Sequence, residues 1–164
     1  MRREILRWPD KRLKTVAEPV DEVTDEVRAI WADMIETMDA MPGYGLAAPQ
    51  IGVMLRLAVV DVSELRGKSV RLANPQIVAQ SGELRTGPEG SPCLPGVSAQ
   101  IKRPTWVDVS YMDHHGIRVR QKFEDLSAVS VVHQIDHLNG KLYFEHLSRT
   151  KRGMLIRKSQ KGSG

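Results

Sequence analysis

The residues of this sequence best suited to chemistry are two histidines, His133 and His137, which lie four positions apart. The surrounding segment, residues 125–140, predicts a helix that is capped by Asp125 or Ser127 and stopped by a final Asn-Gly. Residues four apart project from one face of a helix, so both imidazoles could bind one divalent metal. On an arbitrary helix such a pair is also compatible with solvated or buried structural histidines, so further ligands must be sought elsewhere.

Two other residues bear on this candidate metal site. One is Cys93, the only cysteine of the sequence, and the other is Gln134, which directly follows the first histidine. A thiolate beside two imidazoles would make a three-ligand site with one position open for water, as in catalytic metal sites. The competing interpretation of Cys93 is a buried structural thiol. In the zinc-binding pattern His-Glu-x-x-His the glutamate is the general base, and Gln134 stands in its place. An amide does not take a proton from a metal-bound water, so this base is missing.

The composition is that of a single globular domain. The chain has 164 residues, of which 41% are hydrophobic, and its formal net charge of +4 favours acidic partners only weakly. A single cysteine forms no internal disulfide, and no stretch approaches the roughly 20 apolar residues of a membrane span. We therefore expect a cytoplasmic protein whose partners include neither membrane nor DNA.

Periodicity predicts a mixed fold of helices and antiparallel strands. Residues 24–41 carry apolar side chains every three or four positions, which predicts an amphipathic helix. Predicted strands follow at residues 55–62, 70–72, 77–85, 106–112 and 117–123. Turn signals separate them at Arg66-Gly67, Asn74-Pro75, Ser81-Gly82 and His115-Gly116. Residues 88–104, dense in proline and glycine, lie between strands, and residues 43–52 follow a helix, which argues against a phosphate-binding loop.

Three motifs in this order resemble those of the peptide deformylases. They are GYGLAAPQIG at residues 43–52, Glu89-Gly90 within PEGSPCLPG, and HQIDHLNGKLYFEHLS from His133 onwards. With ILRWPDKRL near the start, the resemblance extends over nearly the whole chain. It implies an α+β fold in which antiparallel strands surround a central, metal-bearing C-terminal helix, with a long N-terminal helix packed outside.

The resemblance also implies an activity, a cofactor and a set of site residues. Peptide deformylases remove the formyl group from the first methionine of new polypeptides, using Fe(II) or another divalent metal such as zinc or nickel. The implied partner is an N-formylmethionyl peptide or nascent chain. Motif matching assigns the metal to Cys93, His133 and His137, and the catalytic positions to Gln134, Gln50 and Leu94. It assigns the substrate groove to Gly43, Tyr44, Gly45, Leu126, Val129 and Ser130, and Asp136 is expected to pair with Arg103 in support.

Three departures from the family pattern bear on activity, one at Gln134 and two in the middle motif. Gln134 replaces the glutamate that transfers protons, a loss that typically costs about 10²–10⁴ in rate. The family's Glu-Gly-Cys-Leu-Ser is replaced by Glu-Gly-Ser-Pro-Cys-Leu at residues 89–94. In an alignment without gaps, Ser91 occupies the position of the metal ligand. Pro92 then occupies the position of the oxyanion donor, although proline has no N–H. With a two-residue insertion and a local bulge, Cys93 and Leu94 occupy these positions, and we favour this alignment because it keeps the Cys-Leu pair.

The sequence therefore predicts a deformylase-like metallohydrolase whose activity is weak or absent. The alternative is a non-catalytic relative that binds peptide N-termini or associates with the ribosome. We expect one deformylase-like domain over residues 1–150, followed by a basic, flexible tail at residues 151–164. That tail is either a solvated end or the source of a weak, salt-sensitive contact with ribosomal RNA.

Overall fold

The computed structural model describes residues 1–162, and its largest element is a five-stranded antiparallel sheet. Numbered in chain order, its strands are Gly45–Ala47 (β1), Leu57–Val60 (β2), Val70–Gln80 (β3), Trp106–Met112 (β6) and Arg118–Glu124 (β7). They lie side by side in the order β1-β2-β3-β6-β7. The predicted strand at residues 106–112 is confirmed, and β6 and β7 form the predicted hairpin.

Strand β3 differs from the prediction because it continues through the expected turn at Asn74-Pro75. Asn74 has a φ of 49°, and the pairing of β3 with β6 is irregular between Ala73 and Gln76. The Asn74 side chain accepts a hydrogen bond from Val20 N (2.9 Å) and donates one to Val20 O (2.7 Å). The turn signal is thus accommodated as an irregularity within one long strand.

Residues 84–104 form a separate two-stranded hairpin of β4 (Leu84–Ser91) and β5 (Leu94–Pro104). The sequence placed no strand within residues 88–104, and the structure corrects this. Proline is tolerated here because each strand of a two-stranded sheet has a free edge, where a missing N–H breaks no ladder bond. Ser91 pairs with Leu94, so Pro92 and Cys93 occupy the turn.

Two helices cover the five-stranded sheet, α1 (Asp25–Ala40) and α2 (Asp125–Leu138). The hydroxyl of Thr24 caps α1 by accepting a hydrogen bond from Val27 N at 3.2 Å. The cap of α2 is Glu124, one residue before the predicted Asp125, and Glu124 N donates to Ser127 Oγ at 3.2 Å. Ser127 Oγ in turn donates to Glu124 O at 2.8 Å, so the Ser127 hydroxyl pairs with both backbone groups of the cap residue.

The packing of α2 decides where its polar side chains point. Its apolar residues Val131 and Ile135 belong to a buried cluster with Val107 and Phe123 of the sheet. The opposite face therefore carries the polar residues towards the β4–β5 hairpin, where His133 contacts Glu89. Helix α1 has a separate core, in which Trp31 and Met34 pack against residues of β1 and β2.

The expected flexible tail at residues 151–164 is corrected by a third helix, α3 (Arg149–Gly162). Ser159 is buried, and its hydroxyl donates a 2.6 Å hydrogen bond to Pro95 O of β5. Leu155 packs against the same apolar cluster as β5, so the helix is held by burial as well. The helix with the two histidines is consequently not the last helix of the chain.

The final residues of the expected tail, 163 and 164, lie outside the described part of the chain. Across residues 1–162, the helices are too short or too polar for any of them to cross a lipid bilayer.

Candidate active site

His133, Gln134 and His137 lie together on α2, and all three side chains are buried. The Nε2 atoms of the two histidines face each other at 3.2 Å. Two imidazole nitrogens bound at about 2.0–2.1 Å to one tetrahedral ion would be about 3.4 Å apart, so the spacing suits a shared metal. Burial, with the nearby His133 and Arg103, holds the pKa of His137 well below its usual range, so this imidazole is neutral.

A buried ionic network holds His133 in place. Its Nδ1 lies 2.9 Å from Glu89 Oε1 on β4. Arg103 of β5 donates to both carboxylate oxygens of Glu89 at 2.8 Å and to Asp136 Oδ2 of α2 at 2.7 Å. The predicted pairing of Asp136 with Arg103 is therefore confirmed. The network connects the hairpin to the helix and fixes the orientation of the first imidazole.

The same network sets the charge of Glu89, a residue to which the sequence assigned no role. Burial alone would raise the pKa of this carboxyl, but hydrogen bonds from Arg103 and His133 outweigh burial and lower the pKa to about 2. Because an ionised carboxylate can only accept, the hydrogen in this contact is assigned to His133 Nδ1, and Nε2 of the same ring faces His137. Nδ1 of His137 has no hydrogen-bond partner within residues 1–162.

Cys93 does not join the two histidines, contrary to the alignment that we favoured. The register of the hairpin places it in the turn, where it is 1% exposed and belongs to an apolar cluster. Its Sγ accepts a hydrogen bond from Gln50 Nε2 at 3.5 Å. Burial raises the pKa of the thiol, and the hydrogen bonds from Gln50 and Ser91 offset this only in part.

The ligand set that the family resemblance implied is therefore incomplete in this structure. Within the described residues, no three side chains of His, Cys, Asp or Glu are grouped so that they could hold a metal ion. His133 and His137 fit two positions of such a site, and the residue of the hairpin that lines the same cavity as His133 is Ser91 rather than Cys93. A serine hydroxyl is a much poorer ligand than a thiolate. We assign no catalytic step to a metal on this donor set.

The expected backbone donor, Leu94, is also displaced from the site. It begins β5 opposite Ser91 and is 2% exposed within the apolar cluster of the hairpin. Pro92 lines the space in front of His133 instead, and proline has no N–H to donate. The hairpin register thus matches the ungapped alignment, which a sequence pattern alone did not decide.

A cavity of about 520 Å³, the central cavity, opens in front of His133 and Gln134. Its lining includes every residue assigned to the substrate groove and also Gln50, and these residues are Gly43, Tyr44, Gly45, Leu126, Val129, Ser130 and Gln50. The sequence assigned no role to five further lining residues, which are Met41, Pro42, Pro88, Glu89 and Gly90. Only Glu89 and Gly90 could have been anticipated, because they form a motif beside the expected ligand.

Close packing between β1 and α2 positions Gln134. A Cβ added at Gly45 would lie 2.6 Å from Gln134 Nε2 and 2.7 Å from Ser130 Oγ, so only glycine fits without displacing these groups. Ser130 Oγ donates to Tyr44 O at 2.8 Å, which fastens the loop before β1 to the helix. Gln50 is fixed separately, because its Oε1 accepts a hydrogen bond from Ala47 N at 2.8 Å.

Comparison with known proteins identifies the family to which this fold and this site correspond. The model of the polypeptide deformylase family matches residues 2–153. A curated peptide deformylase of Hydrogenovibrio crunogenus is 42% identical over 158 residues, which are 96% of this chain and 93% of the relative. The crystal structure of a peptide deformylase from Legionella pneumophila has a TM-score of 0.94 at 38% identity, covering 99% of this chain and 96% of that chain.

A second similar structure was solved with a peptide bound. A peptide deformylase from Acinetobacter baumannii, crystallised with Met-Ala-Ser bound, has a TM-score of 0.84 at 28% identity and covers 90% of this chain and 99% of that chain. The chain therefore has the α+β fold of these solved peptide deformylases. The chain belongs to the polypeptide deformylase family, whose members are metalloenzymes that remove N-formyl groups from nascent peptides.

Proposed function

We propose that this chain binds the formylmethionyl N-terminus of peptides in the central cavity, and that it hydrolyses the formyl group weakly or not at all. Binding is supported by the apolar side chains of Leu126 and Val129, against which an unbranched methionine side chain can pack. The Met-Ala-Ser peptide bound to the Acinetobacter baumannii relative supports the same class of ligand.

One observation carries the expectation of weak hydrolysis, namely that an amide stands beside His133. Gln134 lines the central cavity and is 5% exposed, and an amide neither accepts nor releases a proton in the relevant pH range. The carboxylate of Glu89 does not replace the missing base. It is bound to Arg103 and His133 and has a pKa of about 2, far below the range that suits a general base.

The residues present are suited to holding a peptide. Methionine would pack on Leu126 and Val129, which directs the formyl group towards His133 and Gln134. Tyr44 and Gly45 line the same cavity, and β1 is an edge strand of the sheet, so an extended peptide can pair with its free edge. Pro92 contributes shape but no donor, so a negatively charged carbonyl oxygen would lack one hydrogen bond at that point.

Binding and hydrolysis should be measured separately. Binding is followed by the fluorescence anisotropy of a labelled formylmethionyl peptide, and hydrolysis by formate release, for the native protein and Gln134→Glu. We expect both proteins to bind the peptide and Gln134→Glu to release formate faster, by about 10²–10⁴-fold if Ser91 and Pro92 do not limit the rate. Gln76→Glu, on an exposed position of β3, is the control for the added charge.

Two results would contradict this proposal. Formate release by the native protein at an ordinary enzymatic rate, with no gain in Gln134→Glu, would show that a base other than residue 134 operates. Absence of peptide binding by either protein would remove the role of the central cavity.

A second candidate function, contact with the ribosome, is favoured by the charge of α3. The helix contains six lysines and arginines and no acidic residue, and these basic residues are Arg149, Lys151, Arg152, Arg157, Lys158 and Lys161. A cationic helix of this kind binds nucleic-acid phosphates with an affinity that falls as salt rises. Co-sedimentation with ribosomes at low salt, lost at moderate salt, is the expected result, and no co-sedimentation at low salt would remove this candidate.

A further inference from the structure

A second cavity of about 510 Å³ adjoins the central cavity and shares Met41 and Pro92 with it. Its remaining lining residues are Arg2, Arg3, Glu4, Ile5, Arg7 and Thr37. We call it the arginine cavity. It is formed where the N-terminal segment passes beside α1 and the turn of the β4–β5 hairpin.

The charges of the arginine cavity are only partly neutralised. Arg3 is paired with Asp33, to which its Nε and Nη2 each donate at 2.8 Å. Arg2 and Arg7 are exposed, and neither makes an ion pair within residues 1–162. Glu4 is the single carboxylate in the lining and is likewise unpaired in the described part of the chain. Two unpaired guanidinium groups against one carboxylate leave the cavity positive.

The arginine cavity lies where a bound peptide would leave the central cavity. A methionine side chain would occupy the end formed by Leu126 and Val129, from which an adjoining recess is lined by Ile101 and Pro104. That recess has its own charges, Arg85 and Asp125, but they are paired with each other at 3.0 Å.

Met41 and Pro92, which do not line that recess, connect the central cavity to the arginine cavity. A peptide whose methionine lies beside the recess and whose extended chain runs past Met41 and Pro92, at about 3.3–3.6 Å per residue, would carry its next residues towards the arginine cavity.

We propose that Arg2 and Arg7 make this chain prefer peptides with acidic residues shortly after the N-terminal methionine. The inference rests on the proposed binding of formylmethionyl peptides in the central cavity. A carboxylate side chain in the arginine cavity meets two guanidinium groups that make no ion pair within residues 1–162, and bidentate pairing is available to each. Glu4 opposes this preference and limits its size.

The expected effect is modest because the arginines are exposed. An exposed ion pair changes an equilibrium constant by about fivefold at most, so two pairs should tighten binding about three- to tenfold at low salt. Screening should remove most of this difference at about 0.5 M salt.

The test compares three labelled peptides that share formyl-Met-Ala and continue with two aspartates, two asparagines or two lysines. Their dissociation constants are measured by fluorescence anisotropy with the full-length protein at low and high salt. The aspartate peptide should bind about three- to tenfold tighter than the asparagine peptide, and the lysine peptide more weakly than both. The difference in affinity among the three peptides should disappear in a variant carrying Arg2→Gln and Arg7→Gln. The preference for the aspartate peptide should increase in Glu4→Gln.

The matched control carries Arg118→Gln and Arg120→Gln, which remove the same charge from β7 of the five-stranded sheet. This control should keep the aspartate preference. Equal affinity for the aspartate and asparagine peptides would overturn the inference and leave the proposed function standing. A preference that survives the loss of Arg2 and Arg7 would also overturn it, and failure of all three peptides to bind would refute both the inference and the proposed function.

Discussion

Replacement of Arg103 by methionine would remove the guanidinium that neutralises Glu89 and keep an unbranched side chain in β5. Both side chains of the pair are only 4% exposed, so solvent does not screen the interaction. Lowering the pKa of Glu89 from 4.5 to about 2 corresponds to about 3 kcal/mol of folding stability. Removal of one partner from a buried pair typically costs about 3–5 kcal/mol, which agrees with that value. We therefore expect Arg103→Met to lower the free energy of unfolding by about 3–5 kcal/mol.

The assay is urea unfolding of the metal-free native protein and variant, near neutral pH. Arg120→Met is the matched control, because its pair with Asp108 is largely exposed at the arginine and should be worth less than about 1 kcal/mol. If Arg103→Met and Arg120→Met lower the unfolding free energy equally, the network is not the stabilising interaction that its geometry indicates.

The dependence on pH gives a second criterion. The folded-state pKa of Glu89 is lowered, so its contribution to stability is fully present above the unfolded pKa of 4.5 and is lost as pH falls towards about 2. The difference in unfolding free energy between native protein and Arg103→Met should accordingly narrow over that window. A difference at about pH 3 that equals the one near neutral pH would refute the reasoning.

Three further outcomes are expected. Ser91→Cys should retain more divalent metal per chain than the native protein, measured by elemental analysis after dialysis against dilute metal, whereas Cys93→Ser should leave metal content unchanged. Gly45→Ala should lower the unfolding free energy by about 1–3 kcal/mol, because its Cβ would meet side-chain atoms at 2.6 and 2.7 Å, and Gly87→Ala, with nothing within 4 Å, should not. Ser159→Ala should lower the free energy of unfolding by about 1 kcal/mol and make α3 more sensitive to protease. Unchanged protease sensitivity would show that other contacts alone hold the helix.

The parts of the site that were predictable from the sequence depend on local spacing. His133, Gln134 and His137 share a helix, and helical periodicity over residues 125–138 is a local property. The residues of the central cavity on the loop before β1 were found because their motif is continuous along the chain. The pairing of Asp136 with Arg103 was also found, although it joins separate elements, because both residues lie beside recognisable motifs.

The parts that were not predictable depend on pairing between distant residues. Whether Ser91 or Cys93 faces the cavity is decided by the register of β4 against β5, in which Ser91 is opposite Leu94. No local pattern shows this register, because prolines obscure the alternation of both strands. Helix α3 was missed for a related reason. It is strongly basic, and its attachment depends on a hydrogen bond from Ser159 to a distant strand.

The contacts of Arg103 also have a consequence for how the protein opens. Arg103 lies on β5 and forms buried ion pairs with Glu89 of β4 and Asp136 of α2. Separating the hairpin from the helix would break the pair with Asp136 and leave buried charges without a partner. Fraying of one element alone is therefore costly, and the hairpin and the helix should open as a single cooperative unit. Amide hydrogens in both should exchange with solvent at closely similar rates, although the hairpin and the helix are separate secondary-structure elements far apart in the sequence.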